Sequence, residues 1–196
     1  FSEELAQVLA ALPKRRQNLL FSATFPPELE QLIASLLHNP VGINLAKQDE
    51  NLIEQHVYTL EAERKNAALI HLIKTGDWQQ VLVFASAKNT CNRLVLKLEK
   101  AGIQAAAFHG DLSQSARNNA LADFKAKHIR VLIATDVAAR GIDIQQLPYV
   151  VNFDLPRSAN DYIHRIGRTG RAGQQGYAVA LIAPDEEEHF RLIEKR

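Results

Sequence analysis

Methionine is absent from the 196 residues, and cysteine occurs once, at Cys91. A single thiol excludes any disulfide within the chain. Such cysteine usage leads us to expect a reducing, cytoplasmic compartment. No apolar run approaches the ~18 residues of a membrane-spanning helix, so no membrane partner is expected. The opening at Phe1 shows no signal-peptide pattern; a start without methionine reads as a fragment or a processed product. Excess charge of one sign is missing too, with 23 Lys and Arg against 22 Asp and Glu. A uniformly basic coat for nucleic acid is thereby excluded, but a local basic patch is not. No G-x-x-x-x-G-K-[ST] phosphate cradle occurs. Gly167, Gly170, Gly173 and Gly176 recur every three residues and form no G-x-G-x-x-G. The seven histidines and one cysteine show no zinc-ligand spacing, and we expect no metal site.

Hydrophobic residues make up 46% and charged residues 23% of the chain, enough for a packed core and against wholesale disorder. Charge is unevenly placed. Residues 1–46 hold three basic and four acidic side chains, residues 47–54 one and three, and residues 55–196 nineteen and fifteen. Within the last part, Arg157, Arg165, Arg168 and Arg171 face only Asp161 between positions 157 and 171. All four are arginine, whose planar fork matches phosphate oxygens in pairs.

Helical spacing of Leu5, Val8, Leu9 and Leu12 predicts a helix opened by Ser2 and ended by Pro13. Strands are predicted at 19–24 and 41–46, with a helix between them opened by Pro26 and Pro27. The polar stretch 47–54 reads as a linker. Beyond it, apolar runs at 55–60, 80–85, 103–108, 129–135, 148–154 and 176–183 read as strands. They are continuous enough to predict cover on both faces. Helical patterns fall between them at 62–75, 87–101, 113–127, 158–168 and 185–196, with Gly102 placed as a helix cap. Such alternation predicts an α/β fold with a parallel sheet flanked by helices, and ligands outside the carboxyl ends of its strands.

Unusual residues gather at those ends. His164-Arg165-Ile166-Gly167-Arg168-Thr169-Gly170-Arg171 sets three arginines at spacing three among glycines. An exposed basic helix is the plainer interpretation. The glycines interrupt the helix and let backbone approach a ligand, which favours a polyanion site. Ala134-Thr135-Asp136-Val137-Ala138-Ala139-Arg140-Gly141-Ile142-Asp143 follows strand 129–135, with Asp136 expected to cap a short helix. Phe108-His109-Gly110-Asp111, with Gln114 and Arg117, follows strand 103–108, with Asp111 or Ser113 as the helix cap. Ser22-Ala23-Thr24 is too short to carry meaning alone.

Together these four motifs resemble the DEAD-box ATP-dependent RNA helicases of superfamily 2, in order and spacing and along essentially the whole chain. QNLLFSATF and LPYVVNFDLP are most similar to the bacterial RhlE-like branch. The resemblance implies that residues 1–46 are a two-strand, two-helix tail of a first RecA-like domain carrying the SAT motif. Residues 47–54 would be the interdomain linker, and 55–196 a complete second RecA-like domain. Arg168 and Arg171 correspond to arginine fingers that reach the γ-phosphate of ATP, and Asp143 to a contact with the nucleotide ribose. Ser22, Thr24, His164 and Arg165 correspond to residues coupling nucleotide state to domain closure. Gly110, Arg117 and Thr135 correspond to RNA-backbone contacts, with Gln114 supporting their loop. ATP and Mg²⁺ are implied as cofactors, held mainly by the first domain. Implied partners are RNA, through sequence-independent backbone contacts, and the first RecA-like domain. Strand edges in 1–46 imply packing on a neighbouring chain or a separate first-domain piece. One departure stands out: Ala87 replaces the family's usual threonine, so a hydroxyl-to-phosphate contact is lost unless Ser86 or Lys88 supplies it. A stand-alone nonspecific RNA-binding or partner-docking module is the alternative.

Overall fold

The computed structural model describes residues 2–22, 27–43, 52–140, 144, 146–170 and 174–195. The chain separates into two compact units, Phe1–Lys47 and Gln48–Arg196.

In the first unit, α1 (Ser2–Ala11) and α2 (Pro27–Leu36) form as predicted. Asn18 Nδ2 donates to the Leu36 carbonyl over 3.1 Å. The predicted strands at 19–24 and 41–46 do not form in their described parts, 19–22 and 41–43. Leu19, Phe21, Val41 and Ile43 are 71%, 89%, 88% and 78% exposed. A strand exists only by pairing, and these segments have apolar side chains but no paired strand among the described residues.

The second unit holds β1 (Ile53–Thr59), α3 (Lys65–Thr75), β2 (Val81–Phe84), α4 (Lys88–Lys100), β3 (Ala105–Phe108), α5 (Gln114–Lys125) and β4 (Val131–Ala134). It continues with α6 (Asp136–Ala139), β5 (Tyr149–Asn152), α7 (Ala159–Ile166), β6 (Gly176–Ile182) and α8 (Glu187–Glu194). All six strands are parallel, in the order β1-β6-β5-β2-β4-β3. One face buries Val81, Val83, Ile133, Val151 and Leu181 against Leu69, Ile73, Leu94 and Leu98 of α3 and α4. The other carries Leu82, Phe84, Leu132 and Val150 against Phe124 and Ala138, and Ala178 and Ala180 against Tyr162, Ile166, Phe190 and Ile193. Strands β2 and β4 are buried at every position, as their unbroken apolar runs predict. Strand β1 departs from that expectation. Among the described residues it lies at the sheet edge and pairs only with β6, and it exposes Glu54, Gln55, Val57, Tyr58 and Thr59.

Caps place the loops. Ser113, not Asp111, caps α5 by accepting from the Ala116 amide over 3.2 Å. Gly102 adopts a φ of 78° after α4, the left-handed conformation a helix-ending glycine supplies. Ala87 occupies the N-cap of α4 with extended backbone and no side-chain cap. Replacing Ala87 by Thr is expected to add about 1 kcal/mol of stability, read as a rise in Tm of about 2–4 °C. An unchanged Tm would show that another group already satisfies the end of α4.

Candidate functional site

The carboxyl ends of β2, β3, β4 and β5 lie side by side, and the loops that follow them carry the singled-out motifs. Thr135 ends β4 and donates its amide to the Phe108 carbonyl of β3 over 3.2 Å, next to the His109–Ser113 turn. Gly110 lies exposed in that turn, and a Cβ there would meet nothing of the protein within 4 Å. Half-buried Arg117 donates to Gln114 Oε1 over 2.6 Å, and its buried Nε has no hydrogen-bond partner. Gln114 thus holds Arg117 and also donates to Asn118 Oδ1 over 2.9 Å, both within α5. His109, 2% exposed, bonds Asn92 of α4 through Nε2 at 3.0 Å, while its buried Nδ1 has no hydrogen-bond partner. Asn92, missed in the sequence, thus ties this loop to the neighbouring helix.

Arg165 is anchored inside the second unit. It is 2% exposed. Nε and Nη2 grip the two oxygens of Asp136 at 2.6 and 2.7 Å, and Nη1 donates to Asn152 Oδ1 at 2.9 Å and to the Asp154 carbonyl at 2.6 Å. Its guanidinium lies 5.0 Å from the Phe84 ring centroid. The physical reason is helical spacing: Tyr162, Arg165 and Ile166 share the buried face of α7. Asp136 corrects an expectation. It is the first helical residue of α6 rather than its cap, a position held by Thr135 without a side-chain bond.

Two hollows flank α6. The first, of about 70 Å³, is lined by His164, Arg165, Arg168, Arg140, Asp136 and Asp161 among others. His164 is exposed and Arg168 half-buried; Arg168 Nη2 donates to the Ala139 carbonyl at a long 3.4 Å. The second, of about 310 Å³, is lined by Ser86, Thr135, Asp136, Arg140, Arg157 and Asp161 among others. The Ser158 hydroxyl and Arg140 hold the Asp161 carboxyl below the usual carboxylate range, against the opposing effect of partial burial. Around Ala87, the Ser86 amide donates to Asp154 at 2.8 Å, and Lys88 pairs with Asp111. Burial first, then the Asp154 carboxylate, push the buried Cys91 thiol up to about 11. Among the described residues no three His, Cys, Asp or Glu side chains converge to hold a metal. No helix among them is long and apolar enough to cross a membrane.

Asp143, Arg171 and Thr24 lie outside the described residues. Ser22 belongs to the first unit and is exposed. Gly176 has a packing role that its spacing did not reveal: a Cβ there would strike the backbone of Gly170 and the Thr169 hydroxyl. Its absence lets β6 start hard against the motif that carries Arg168.

A strand-end site of this kind defines a helicase-type RecA-like domain, and residues 64–173 match the helicase conserved C-terminal domain. The chain belongs to the DEAD-box RNA helicase family. An ATP-dependent rRNA helicase RRP3 from Encephalitozoon cuniculi is 37% identical over 99% of this chain and 49% of that protein. The E. coli DEAD-box protein SrmB, solved bound to regulator of ribonuclease activity A, is 38% identical with a TM-score of 0.70, covering 73% of this chain and 85% of that one. S. cerevisiae Dbp5 bound to RNA and ADP BeF3 is 33% identical with a TM-score of 0.86, covering 98% and 52%. The chain spans between a quarter and a half of the curated relatives it matches.

Proposed function

We propose that this chain works as part of an ATP-dependent RNA helicase, supplying arginine fingers and half of an RNA-backbone site. The observation that carries this reading is the pair of hollows sharing Asp136 of α6, Arg140 just after it and Asp161 of α7, one lined by Arg168 and the other by Thr135. ATP would sit between this unit and a first RecA-like domain holding the phosphates and Mg²⁺. Arg168, with Arg171, would neutralise charge on the transferring phosphoryl group, and Asp143 would bond the ribose. His164, with Ser22 and Thr24, would report nucleotide state, and Arg165 would act through its hold on α6. Gly110, Arg117 and Thr135 would grip phosphates and 2′-hydroxyls, giving sequence-independent, salt-sensitive binding with RNA preferred to DNA. Residues 1–46 would be the tail of the first domain and 47–54 the linker. QNLLFSATF and LPYVVNFDLP favour a bacterial, RhlE-like protein, and the single buried cysteine favours the cytoplasm.

The test is ATP hydrolysis by the full-length protein with and without single-stranded RNA. RNA, and not DNA, is expected to stimulate it, while these 196 residues alone hydrolyse no ATP above background. Hydrolysis by the 196-residue chain freed of contaminants, or equal stimulation by DNA, would overturn the assignment. The exposed segments 19–22 and 41–43 would add to strands of a first-domain piece or a neighbouring chain. Hydrogen exchange should show their amides protected in the full-length protein and unprotected in a monomer of this chain; unprotected amides in both would remove the proposal.

A further inference from the structure

Strand β1 leaves one side of its backbone without a partner among the described residues. The flanking bonds fix which side. The Gly176 amide donates to the Leu52 carbonyl over 2.8 Å, and the Leu60 amide to the Ile182 carbonyl over 3.0 Å. In a parallel ladder alternate residues bond the same neighbour, so Glu54, His56 and Tyr58 bond β6. Ile53, Gln55, Val57 and Thr59 then point their amides and carbonyls away from β6. Such an edge is a template for a further strand, and proteins blunt it with lysine, proline, bulges or shortness. Strand β1 has none of these: it runs seven residues, IEQHVYT, in one-to-one register with β6. The opposite edge, β3, has only four. Val57 and Tyr58, on opposite faces of β1, are each 40% exposed.

Self-complementarity decides what pairs there. Laid antiparallel on a second copy, across a two-fold axis at His56, all seven residues of β1 are matched. The outward residues exchange bonds as Gln55 with Val57 and Ile53 with Thr59. Glu54, the only carboxylate of the strand, comes opposite Tyr58 of the other copy, an acceptor facing a phenol donor, and no like charges meet. Each Glu54 also keeps its own His56, with Nε2 2.7 Å from Oε1. A row of rings runs toward the same edge. Trp78 stacks on Tyr149 at 4.5 Å between centroids, Tyr149 meets Tyr177 edge-on at 6.1 Å, and Tyr177 stacks on His56 at 4.6 Å. The second copy continues that row across the axis.

We propose that the β1 edge is an interface between two copies of this chain, joined antiparallel about His56 into one continuous sheet. Among the described residues β1 contributes nothing to either hollow beside α6, so this interface is independent of the assignment above.

The experiment is sedimentation of the full-length protein across the micromolar range. The mass is expected to rise from one copy toward two with concentration, and Val57→Lys to weaken the association by about tenfold. Hydrogen exchange needs no variant: the amides of Gln55, Val57 and Thr59 should gain protection with concentration, while those of His56 and Tyr58 are protected throughout. Cysteines read the register. His56→Cys sets two thiols across the axis at a Cα separation of about 4.5 Å, within disulfide reach, and should form a linked dimer in air. Tyr58→Cys sets them about 14 Å apart and should cross-link no more than wild type. A monomer at every concentration with the Gln55 and Val57 amides unprotected overturns the proposal. So does a dimer indifferent to Val57→Lys, or a His56→Cys protein no more cross-linked than Tyr58→Cys.

Discussion

Replacing Arg168 by Ala in the full-length protein is expected to lower RNA-stimulated kcat by about 10³-fold, equivalent to about 4 kcal/mol of transition-state stabilisation. The size follows from the task. Phosphoryl transfer leaves little covalent work to the protein, so charge neutralisation across the leaving and transferring oxygens carries most of the acceleration. Arg168 directly follows Gly167, which closes α7, and stands half-buried beside His164 and Arg140. Its contact with the Ala139 carbonyl is long, at 3.4 Å. Losing that contact should cost the fold far less than the reaction. We therefore expect Tm and RNA affinity to stay close to wild type while kcat falls. Arg168→Lys should remain deficient, since an ammonium cannot reproduce a two-pronged grip. A kcat within a few-fold of wild type in either variant would remove Arg168 from the transition state.

The parallel sheet was legible because burial on two faces writes itself as unbroken apolar runs, as in Val81–Phe84 and Val131–Ala134. The same logic failed at the edges. Val57 and Tyr58 have the composition of a covered strand, but no strand among the described residues pairs beyond β1, and they are exposed. Leu19 to Ser22 and Val41 to Ile43 also read as strands, yet pairing is a property of a neighbour and not of a segment. In the site, residue types and loop positions were legible while side-chain direction was not. Arg165 and Arg168 look equivalent within HRIGRTGR, yet one is buried in an ion pair and the other is half-buried. A signal was present: Arg165 falls three after Tyr162 and one before Ile166, on the apolar stripe of α7. Asn152 carried a similar signal, as a polar residue inside a buried strand that needs a buried partner. Asn92 gave none, because its bond to His109 joins positions seventeen apart with no periodic relation.

Removing Asp136 is expected to cost more stability than removing Arg165, although the two form one ion pair. The asymmetry is in solvent access. The Arg165 side chain is 2% exposed and the Asp136 side chain 31%. Asp136→Ala strands a permanent cation in the interior with only Asn152 Oδ1 and the Asp154 carbonyl as partners, in the range of about 3–5 kcal/mol for a broken buried pair. Arg165→Met leaves a carboxylate that water reaches, and the methionine still packs against Phe84, so a smaller loss is expected. The double variant Asp136→Ala, Arg165→Met should recover part of the Asp136→Ala loss, since no buried charge is then unpaired. Denaturant unfolding of the four proteins closes the cycle. Thr135 adjoins Asp136, so the same variants should also loosen the hollow that Thr135 lines. Equal losses for the two single variants, or a double variant no better than Asp136→Ala, would mean that the pair is not what holds α6 against α7.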